Sequence, residues 1–517
     1  MWIRLTALTA SIILASSSLM ADVKLPAVFA DHMVLQRERP CPVWGWATAG
    51  ETITVQLADH RVETKANGDG AWMVELPGLT AGGPHELVVS GKNRIKIADV
   101  LIGEVWLCSG QSNMAMTVSR CRDFEKERAA ADFPQIRMFS TARQSSPEPA
   151  AECQGSWQVC QAESVGGFSA TAYFFGRELH RELNVPVGLI NSSWGGTAIE
   201  AWTSAYAQQD LAKLDAIRAP WRTQIENYDP QKAAAQYEKN LAAWKERAAR
   251  ARKAGKRAPR RPAKPTDPRS NQNHPANLFN GMINPLIPYA IRGAIWYQGE
   301  RNSRGETSKL YGLQLQTLIA DWRHRFGGEP FPFLWVQLPN YQKPQSEIVE
   351  TTGWVVVRDE MRKTLAVANT GMATTIDVGE ANDIHPKNKQ DVGKRLAFWA
   401  LAKTYGQDRC PSGPLYSGHD RSKNTIVLRF EHGCGGLRTG KGGLVGFAIA
   451  GEDKRFVAAQ ARIDGDKVIV WSKDVADPVA VRYAWAPNPN ANLYNDSGMP
   501  ATPFRTDRWP LDVTGRR

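Results

Sequence analysis

Candidate catalytic residues stand at four points of the chain where an apolar, strand-like run ends. They are Ser112, Gly196, Gln298, and the pair Asp383 and His385. The runs before them are Gly103–Cys108, Val187–Ile190, Ala294–Tyr297 and Ala373–Asp377. In an open parallel sheet the carboxyl ends of the strands share one edge, where ligands bind. A serine, hydrogen-bond donors and a carboxylate–histidine pair at that edge are the groups that acyl transfer needs.

The serine lies in the segment GQSNM, which differs from the G-x-S-x-G elbow of the α/β-hydrolases. Because Ser112 follows a strand, we expect it near the N-terminus of the next helix, where backbone N–H groups stabilise negative charge. Ser109 is the nearest alternative, but its position closer to the strand makes it less able to reach a crevice. Taken alone, a serine here is structural more often than catalytic.

The base candidate is His385, one of nine histidines. It has a carboxylate, Asp383, two positions earlier and a predicted helix directly after it. A general base needs its imidazole held by an acceptor, usually a carboxylate, and Asp383 is the candidate. A backbone carbonyl is the alternative orienting group.

Gly196 and Gln298 are the candidate oxyanion donors. A tetrahedral oxyanion needs two or three preorganised N–H donors, each contributing about 3 kcal/mol. Glycine lets the backbone approach a substrate closely. The alternative for Gln298 is a strand-end amide that satisfies local backbone groups.

The elements that must position these residues alternate between strand and helix from residue 100 to about 405. Helical periodicity is clear in four segments, Ala170–Leu183, Leu310–Phe326, Val355–Ala366 and Val392–Leu401. Such alternation predicts an α/β fold, with a parallel sheet covered by helices on both faces. A helical and basic insertion is expected at about 203–273.

Two β-rich regions are predicted to flank this core. In residues 22–99, Ile53, Val55 and Leu57 alternate with polar residues, and turn-forming residues separate the short runs. That spacing predicts a small β-sandwich, or else edge strands of the main domain. Residues 406–517 return to short β-like runs and are expected to form an accessory β-rich region.

The net charge of +12 belongs almost entirely to one segment. Gln231–Pro265 carries six Lys, six Arg and two Glu, which gives +10 and leaves +2 for the rest. Nucleic acid is therefore not an expected partner. The end of the segment, GKRAPRRPAKPTDP, is expected to be a mobile loop, because prolines stop helices and like charges favour solvation. The alternative is a polyanion-binding loop.

The N-terminus has the pattern of an export signal. Arg4 precedes an apolar stretch, Leu5–Leu19, and a cleavage site is expected near Ala21, so residues 1–21 are predicted to be a signal peptide and the protein periplasmic or secreted. The alternative is a buried first helix. No later run reaches the roughly 20 apolar residues of a membrane span.

Seven cysteines are too few for a disulfide scaffold, and the odd number leaves at least one unpaired. Export would favour a disulfide between Cys153 and Cys160. Cys108 is expected to pack in a buried strand. Since the chain has no CxxC, HExxH or Cys/His cluster, no metal site is predicted.

Four motifs in one order, SGQSNM, NSSWGGT, WYQGE and DIHPKNKQDVGKRLA, resemble the sialate O-acetylesterase family of SGNH (GDSL-like) hydrolases. The similarity extends from FADHMVLQRERPCPVWGWA to RYAWAPNPNANLYNDSGMPATPF. It implies a nucleophile at Ser112, a base at His385, and an oxyanion hole from the Ser112 N–H, Gly196 and Gln298. Two departures stand out: glutamine replaces the usual asparagine at Gln298, and Asn382 takes the place of the usual aspartate.

The resemblance further implies a three-layer α/β/α SGNH core and a cofactor-independent carbohydrate O-acetylesterase. Its substrate would be an acetylated oligosaccharide or polysaccharide, with sialic acid and hemicellulose such as xyloglucan or xylan as equal options. Aromatic faces of Trp194 and Tyr297 are candidates for sugar stacking, and Glu200 and Glu300 for binding sugar hydroxyls. Purely structural roles are the alternative for these four. The competing function is a non-catalytic carbohydrate-binding surface protein with a degenerate hydrolase core.

Overall fold

The computed structural model describes residues 22–209, 211–440 and 442–513, so the predicted signal peptide lies outside the described residues. The N-terminal strands are β1 (Val34–Gln36), β2 (Cys41–Trp46), β3 (Thr52–Leu57), β4 (His60–Lys65), β5 (Ala71–Leu76) and β6 (Gly82–Ser90). In β3, Ile53, Val55 and Leu57 are fully buried, which confirms the predicted alternation.

The central sheet contains β7 (Arg94–Gly110), β8 (Phe133–Thr141), β9 (Gly155–Cys160), β10 (Val187–Ser193), β11 (Gly293–Tyr297), β12 (Phe333–Val336) and β13 (Thr370–Ala373). Its order is β13-β12-β11-β7-β10-β8-β9. All neighbours in this order are parallel except β8 and β9, and β6 also pairs antiparallel with β7. The sheet is therefore mixed, which corrects the expectation of a parallel sheet. The reason is that β9 returns along β8 as an edge strand.

The helices are α1 (Ser112–Ala115), α2 (Phe124–Ala129), α3 (Ala170–Leu183), α4 (Ala205–Gln209), α5 (Asp215–Glu226), α6 (Pro230–Lys253), α7 (Tyr311–Arg325), α8 (Gly353–Lys363) and α9 (Lys389–Lys403). The four helices predicted from periodicity correspond to α3, α7, α8 and α9. Ser169 caps α3 by accepting the N–H of Ala172 at 3.2 Å, and Asn184 ends it in the left-handed conformation.

Helices cover both faces of the sheet. Leu107 of β7 lies in a core with Leu318 of α7 and Val357 of α8. Its neighbour Cys108 faces the opposite core, with Phe175 of α3 and Leu396 of α9. Successive residues of a strand point to opposite faces, so the sheet is the middle of three layers. Cys108 is completely buried, as its predicted packing role requires.

Strand β7 runs through the predicted boundary between residues 99 and 100. Its first part pairs with β6, and its last part lies between β10 and β11. The N-terminal region and the core therefore share one strand, and their division into separate domains stays a prediction.

One predicted strand ends early. The run Ala373–Asp377 was expected to be extended, but β13 stops at Ala373. Beyond it, the Thr375 hydroxyl donates to the carbonyl of Gln337 at 2.5 Å, and Asp377 forms an ion pair with Arg395. Side-chain contacts thus replace the hydrogen bonds between strands after Ala373. The long loop that contains Asp383 and His385 begins at this point.

The C-terminal region is β-rich, as predicted. Its strands are β14 (Leu415–Ser422), β15 (Thr425–Glu431), β16 (Leu437–Thr439), β17 (Phe447–Ala450), β18 (Val457–Ala458), β19 (Gln460–Asp464), β20 (Lys467–Trp471), β21 (Ala480–Tyr483), β22 (Leu493–Asn495) and β23 (Phe504–Arg505). Arg358 of α8 joins it to the core by donating to the carbonyls of Ala486 and Pro487, each at 2.7 Å.

The disulfide predicted between Cys153 and Cys160 is wrong: both thiols are free and buried. Cys153 belongs to the core on one face of the sheet and Cys160 to the core on the other, so the sheet separates them. The disulfide joins Cys410 to Cys434 in the C-terminal region.

The insertion contains α4, α5 and α6, followed by residues 254–267 without helix or strand. The indole of Trp244 in α6 donates to the carbonyl of Pro259 at 2.8 Å, so the basic end lies back along the helix. In the described ranges, no helix is both long and apolar enough to cross a membrane.

Candidate active site

Ser112 is placed by a tight turn at the end of β7. Gly110 has φ of +139°, and a Cβ added there would lie 2.2 Å from the carbonyl oxygen of Tyr297 at the end of β11. Only glycine allows this approach. The chain then turns, and Ser112 begins α1, as predicted from its position after a strand.

An open cleft of about 160 Å³ lies at this serine. Its lining residues are Ser112, Ala115, Met116, Arg120, Arg143, Trp194 and Gly195. Gly195 packs directly on the serine, because a Cβ added to it would be 3.2 Å from the Ser112 Cβ. Ser109, the alternative nucleophile, is completely buried within β7 and does not line the cleft.

His385 and Asp383 lie together in the loop after β13. Asp383 Oδ1 accepts the backbone N–H of His385 at 2.9 Å and is 3.4 Å from His385 Nδ1. Burial lowers the pKa of His385; the charges of Lys389 and Arg120 lower this pKa further, whereas Asp383 raises it. The imidazole is therefore neutral at neutral pH, the form that accepts a proton.

Asn113 connects the serine turn to the histidine loop. Its buried side-chain amide donates to the carbonyl of Ile384 at 3.0 Å and to Glu300 Oε1 at 2.5 Å. Its Oδ1 accepts from Lys389 Nζ at 2.6 Å. Lys389 is completely buried, and this burial lowers its pKa to about 7. The residues flanking Ser112 and His385 are thus fixed to each other by side-chain hydrogen bonds.

The turn after β10 presents backbone donors at the cleft. Gly196 is exposed and has φ of +76°. Within residues 22–209, 211–440 and 442–513, no acceptor is assigned to the N–H of Gly195 or Gly196. The first N–H groups of a helix also lack intrahelical partners, which includes that of Ser112.

Gln298 is completely buried at the end of β11. Its Nε2 donates to Asn302 Oδ1 at 2.7 Å and to the carbonyl of Thr197 at 3.0 Å, and its Oε1 accepts from the Tyr311 hydroxyl at 2.9 Å. Both amide hydrogens are therefore used within the protein. Donation from Gln298 to an oxyanion stays a prediction, and it requires Nε2 to exchange one of these bonds for the substrate.

The four predicted sugar-binding residues are dispersed. Trp194 is half-buried and lines the cleft. Tyr297 and Glu300 are buried behind it, where Lys389 Nζ lies 5.2 Å from the centre of the Tyr297 ring. Glu200 lines a neighbouring cavity.

Burial raises the pKa of both Glu200 and Glu300. Glu200 Oε2 accepts from Asn302 and Gln314, each at 2.9 Å. Glu300 Oε2 is buried and has no hydrogen-bond partner among the described residues. Both carboxyl groups thus carry a desolvation cost, which is only partly offset by hydrogen bonds.

Sequence reasoning missed Asn113, Lys389 and Arg120. The first two lie inside the motifs SGQSNM and DIHPKNKQDVGKRLA, which was the available signal. A lysine in a polar loop does not reveal that it will be buried. In the described part of the chain, no group of three or more His, Cys, Asp or Glu side chains is placed to hold a metal ion.

Comparison with known proteins adds three findings. The model of a family described as carbohydrate esterase, sialic acid-specific acetylesterase, matches residues 102–250 and 272–402. Sialate O-acetylesterases of rat and human are 32% and 31% identical in alignments of 424 and 425 residues. The alignments cover 74% of this chain and 74% and 72% of those proteins. A crystal structure described as a novel carbohydrate acetylesterase from Xanthomonas citri is 37% identical, with a TM-score of 0.79 over 94% of this chain and 100% of that one.

Proposed function

The chain belongs to the carbohydrate esterase family of sialic acid-specific acetylesterases and is a carboxylic ester hydrolase, and from this premise we propose that it removes acetyl groups from sugars by a serine-dependent reaction. One observation carries the proposal. Ser112 lines an open cleft beside a glycine turn with unused N–H groups, and Asn113 ties it to the loop of His385.

In the proposed reaction, Ser112 Oγ attacks the acetyl carbonyl carbon while His385 accepts the hydroxyl proton. The N–H groups of Gly196 and Ser112 stabilise the tetrahedral oxyanion. When the ester C–O bond breaks, His385 returns the proton to the departing sugar oxygen. Water then attacks the carbonyl carbon of the acetyl-enzyme while His385 accepts its proton. His385 returns that proton to Ser112 Oγ as the bond between Oγ and the acetyl carbon breaks, and acetate leaves. Each step uses protein groups and water alone.

Asp383 and Gln298 complete the proposal. Asp383 Oδ1 is 3.4 Å from His385 Nδ1, so a small shift is enough to form the orienting hydrogen bond in the substrate complex. Gln298 holds the carbonyl of Thr197, directly after the glycine turn, and therefore fixes the backbone donors. Exchange of that bond for the oxyanion would add a third donor.

The proposal includes an SGNH-type core and an exported protein. The sheet between two helical layers, with Ser112, Gly196, Gln298 and His385 all on segments that follow its strands, supports the SGNH assignment. The Cys410–Cys434 disulfide supports export, because disulfides persist in oxidising compartments.

Two substrate classes remain under this proposal, acetylated sialic acid and acetylated hemicellulose such as xylan or xyloglucan. Arg120 and Arg143 both line the cleft, and both are exposed. No ion pair within 4 Å is assigned to either guanidinium in the described part of the chain. The two arginines favour sialic acid as the substrate, because its carboxylate accepts hydrogen bonds from guanidinium groups. A neutral hemicellulose has no carboxylate.

Acetate release from O-acetylated sialyllactose, acetylated xylan and acetylated xyloglucan tests the proposal, with p-nitrophenyl acetate as the small ester. Acetate release from at least one glycan, lost in Ser112→Ala, supports it. Glycan binding without any acetate release would instead support a carbohydrate-binding protein with a degenerate core. A drop in kcat/KM for sialyllactose alone in Arg143→Gln would assign the acidic substrate.

A further inference from the structure

A second open cavity of about 190 Å³ lies next to the cleft. Its lining residues are Ala198, Glu200, Ala216, Ile217, Pro220, Arg301, Asn302 and Thr307. They come from three places: the segment after β10, the loop after β11, and helix α5 of the insertion. The insertion therefore closes one side of a cavity that the central sheet alone does not form.

The second cavity and the Ser112 cleft are lined by residues of the same short segment. Gly195 lines the cleft and Ala198, three residues later, lines the cavity. Three residues span at most about 11 Å, so the two spaces are neighbours. Asn302 strengthens the connection, because its Oδ1 accepts both the N–H of Ile199 and the amide of Gln298.

The walls of the cavity differ in chemistry. Pro220 is four residues after Ala216 and three after Ile217, so the three residues lie on one side of α5 and form an apolar wall. Glu200, Asn302 and Arg301 provide an acceptor and donors on the other side. In residues 22–209, 211–440 and 442–513, Arg301 has no assigned ion pair within 4 Å, which leaves its guanidinium free to bind hydroxyl oxygens.

We propose that this cavity binds the sugar residue next to the acetylated one, so that α5 makes the enzyme selective for oligosaccharides over small acetyl esters. The inference rests on the proposed function. A pyranose ring has an apolar C–H face and a rim of hydroxyls, which matches one apolar wall and one polar wall. With the acetylated sugar at Ser112, the next sugar lies within reach of Arg301 and Glu200.

The test places a large side chain at an exposed residue of the cavity wall. Ala216→Trp adds a bulky ring to the wall, and Ala212→Trp, at an exposed residue that does not line the cavity, is the matched control. The substrates are O-acetylated sialyllactose and acetylated xylo-oligosaccharides, compared with p-nitrophenyl acetate. We expect Ala216→Trp to lower kcat/KM for the hydrolysed oligosaccharide at least tenfold more than for p-nitrophenyl acetate, and Ala212→Trp to lower neither.

A second pair of variants removes a positive charge and leaves the volume of the cavity unfilled. Arg301→Met is expected to raise KM for the oligosaccharide, whereas Arg304→Met, in the same loop but outside the cavity, leaves KM unchanged. Equal losses on large and small substrates, or no loss, in both Ala216→Trp and Arg301→Met would overturn the inference while the esterase proposal stands. If the wild-type protein releases acetate from neither oligosaccharide but hydrolyses p-nitrophenyl acetate, the sugar specificity fails and this inference with it.

Discussion

The ends of two adjacent strands, β7 and β11, differ sharply in how they present their polar residues. After β7, Ser112 is half-buried, lines a cleft and lies beside backbone N–H groups that have no acceptor in the described part of the chain. After β11, Gln298 has no exposed surface, and both of its amide hydrogens have protein acceptors. The end of β7 presents the candidate reactive groups, and the side chain at the end of β11 holds them in place.

The difference shows what a catalytic turn requires. A nucleophile and its oxyanion donors must leave hydrogen-bonding capacity unused until the substrate arrives, and this costs stability. That cost is tolerated where a neighbouring group is fully bonded, as the Gln298 side chain is. Substitutions at the end of β7 should therefore lower activity more than substitutions of the residues that hold it in place.

Ser112→Ala is expected to lower kcat for acetyl ester hydrolysis by roughly 10⁴–10⁶-fold, because loss of the nucleophile removes the covalent route. Ser109→Ala removes a buried hydroxyl that has no hydrogen-bond partner within the described ranges, and should retain activity. Steady-state kinetics on p-nitrophenyl acetate checks both variants. If Ser112→Ala kept more than about a tenth of the wild-type rate while Ser109→Ala abolished it, the nucleophile would be misassigned.

Gln298→Ala is expected to lower kcat by about 10²–10³-fold with little change in KM, the effect of losing transition-state stabilisation. Asn302→Ala removes one acceptor of the Gln298 amide and therefore tests how Gln298 acts. If Gln298 acts by holding the glycine turn through Thr197, the double variant should lose less than the product of the single losses. A rise in KM alone for Gln298→Ala would make it a ground-state binding residue.

Asp383→Asn is expected to lower kcat more than tenfold, because Asp383 orients His385. The variant also changes the pH profile. The Asp383 charge raises the pKa of His385, so its removal lowers that pKa and moves the acidic limb of kcat/KM to lower pH. A pH–rate profile measures both effects. A mild loss with an unshifted limb would leave a Ser112–His385 dyad oriented by a backbone group.

The smallest effect is expected far from both strand ends. Replacing residues 254–264 with a short Gly/Ser linker should change kcat on p-nitrophenyl acetate by less than about threefold, since this basic stretch does not line the cleft. KM for a large glycan should rise if the neighbouring helix α6 borders the bound chain. Kinetics at low and high salt, with both substrates, checks this. Collapse of small-ester turnover would show that the segment builds the active site.

Much of the fold could be predicted from the sequence, because local patterns and tertiary structure agree. The apolar periodicity of α3 predicts its exact bounds, and the alternation in β3 predicts which side chains are buried. The place of Ser112, after a strand and at the start of a helix, also agrees with its prediction. These signals are local, since they depend on spacing within one element.

The features that escaped prediction depend on contacts distant in sequence. Cys153 and Cys160 are seven residues apart yet lie on opposite faces of the sheet. Gln298 donates to a carbonyl more than one hundred residues away, and Lys389 is buried against Asn113. Such contacts arise only after the sheet brings its strand ends together, so spacing along the chain does not reveal them.

Labelling with a fluorophosphonate that reacts with activated serines is a direct test of Ser112 as the nucleophile. We expect one label for each chain, on the peptide containing Ser112, with activity lost in proportion to labelling. Ser112→Ala protein should remain unlabelled, and Ser109→Ala protein should label normally. A label on another residue that follows the loss of activity, or full inhibition without a label on Ser112, would contradict the assignment of Ser112 as the nucleophile.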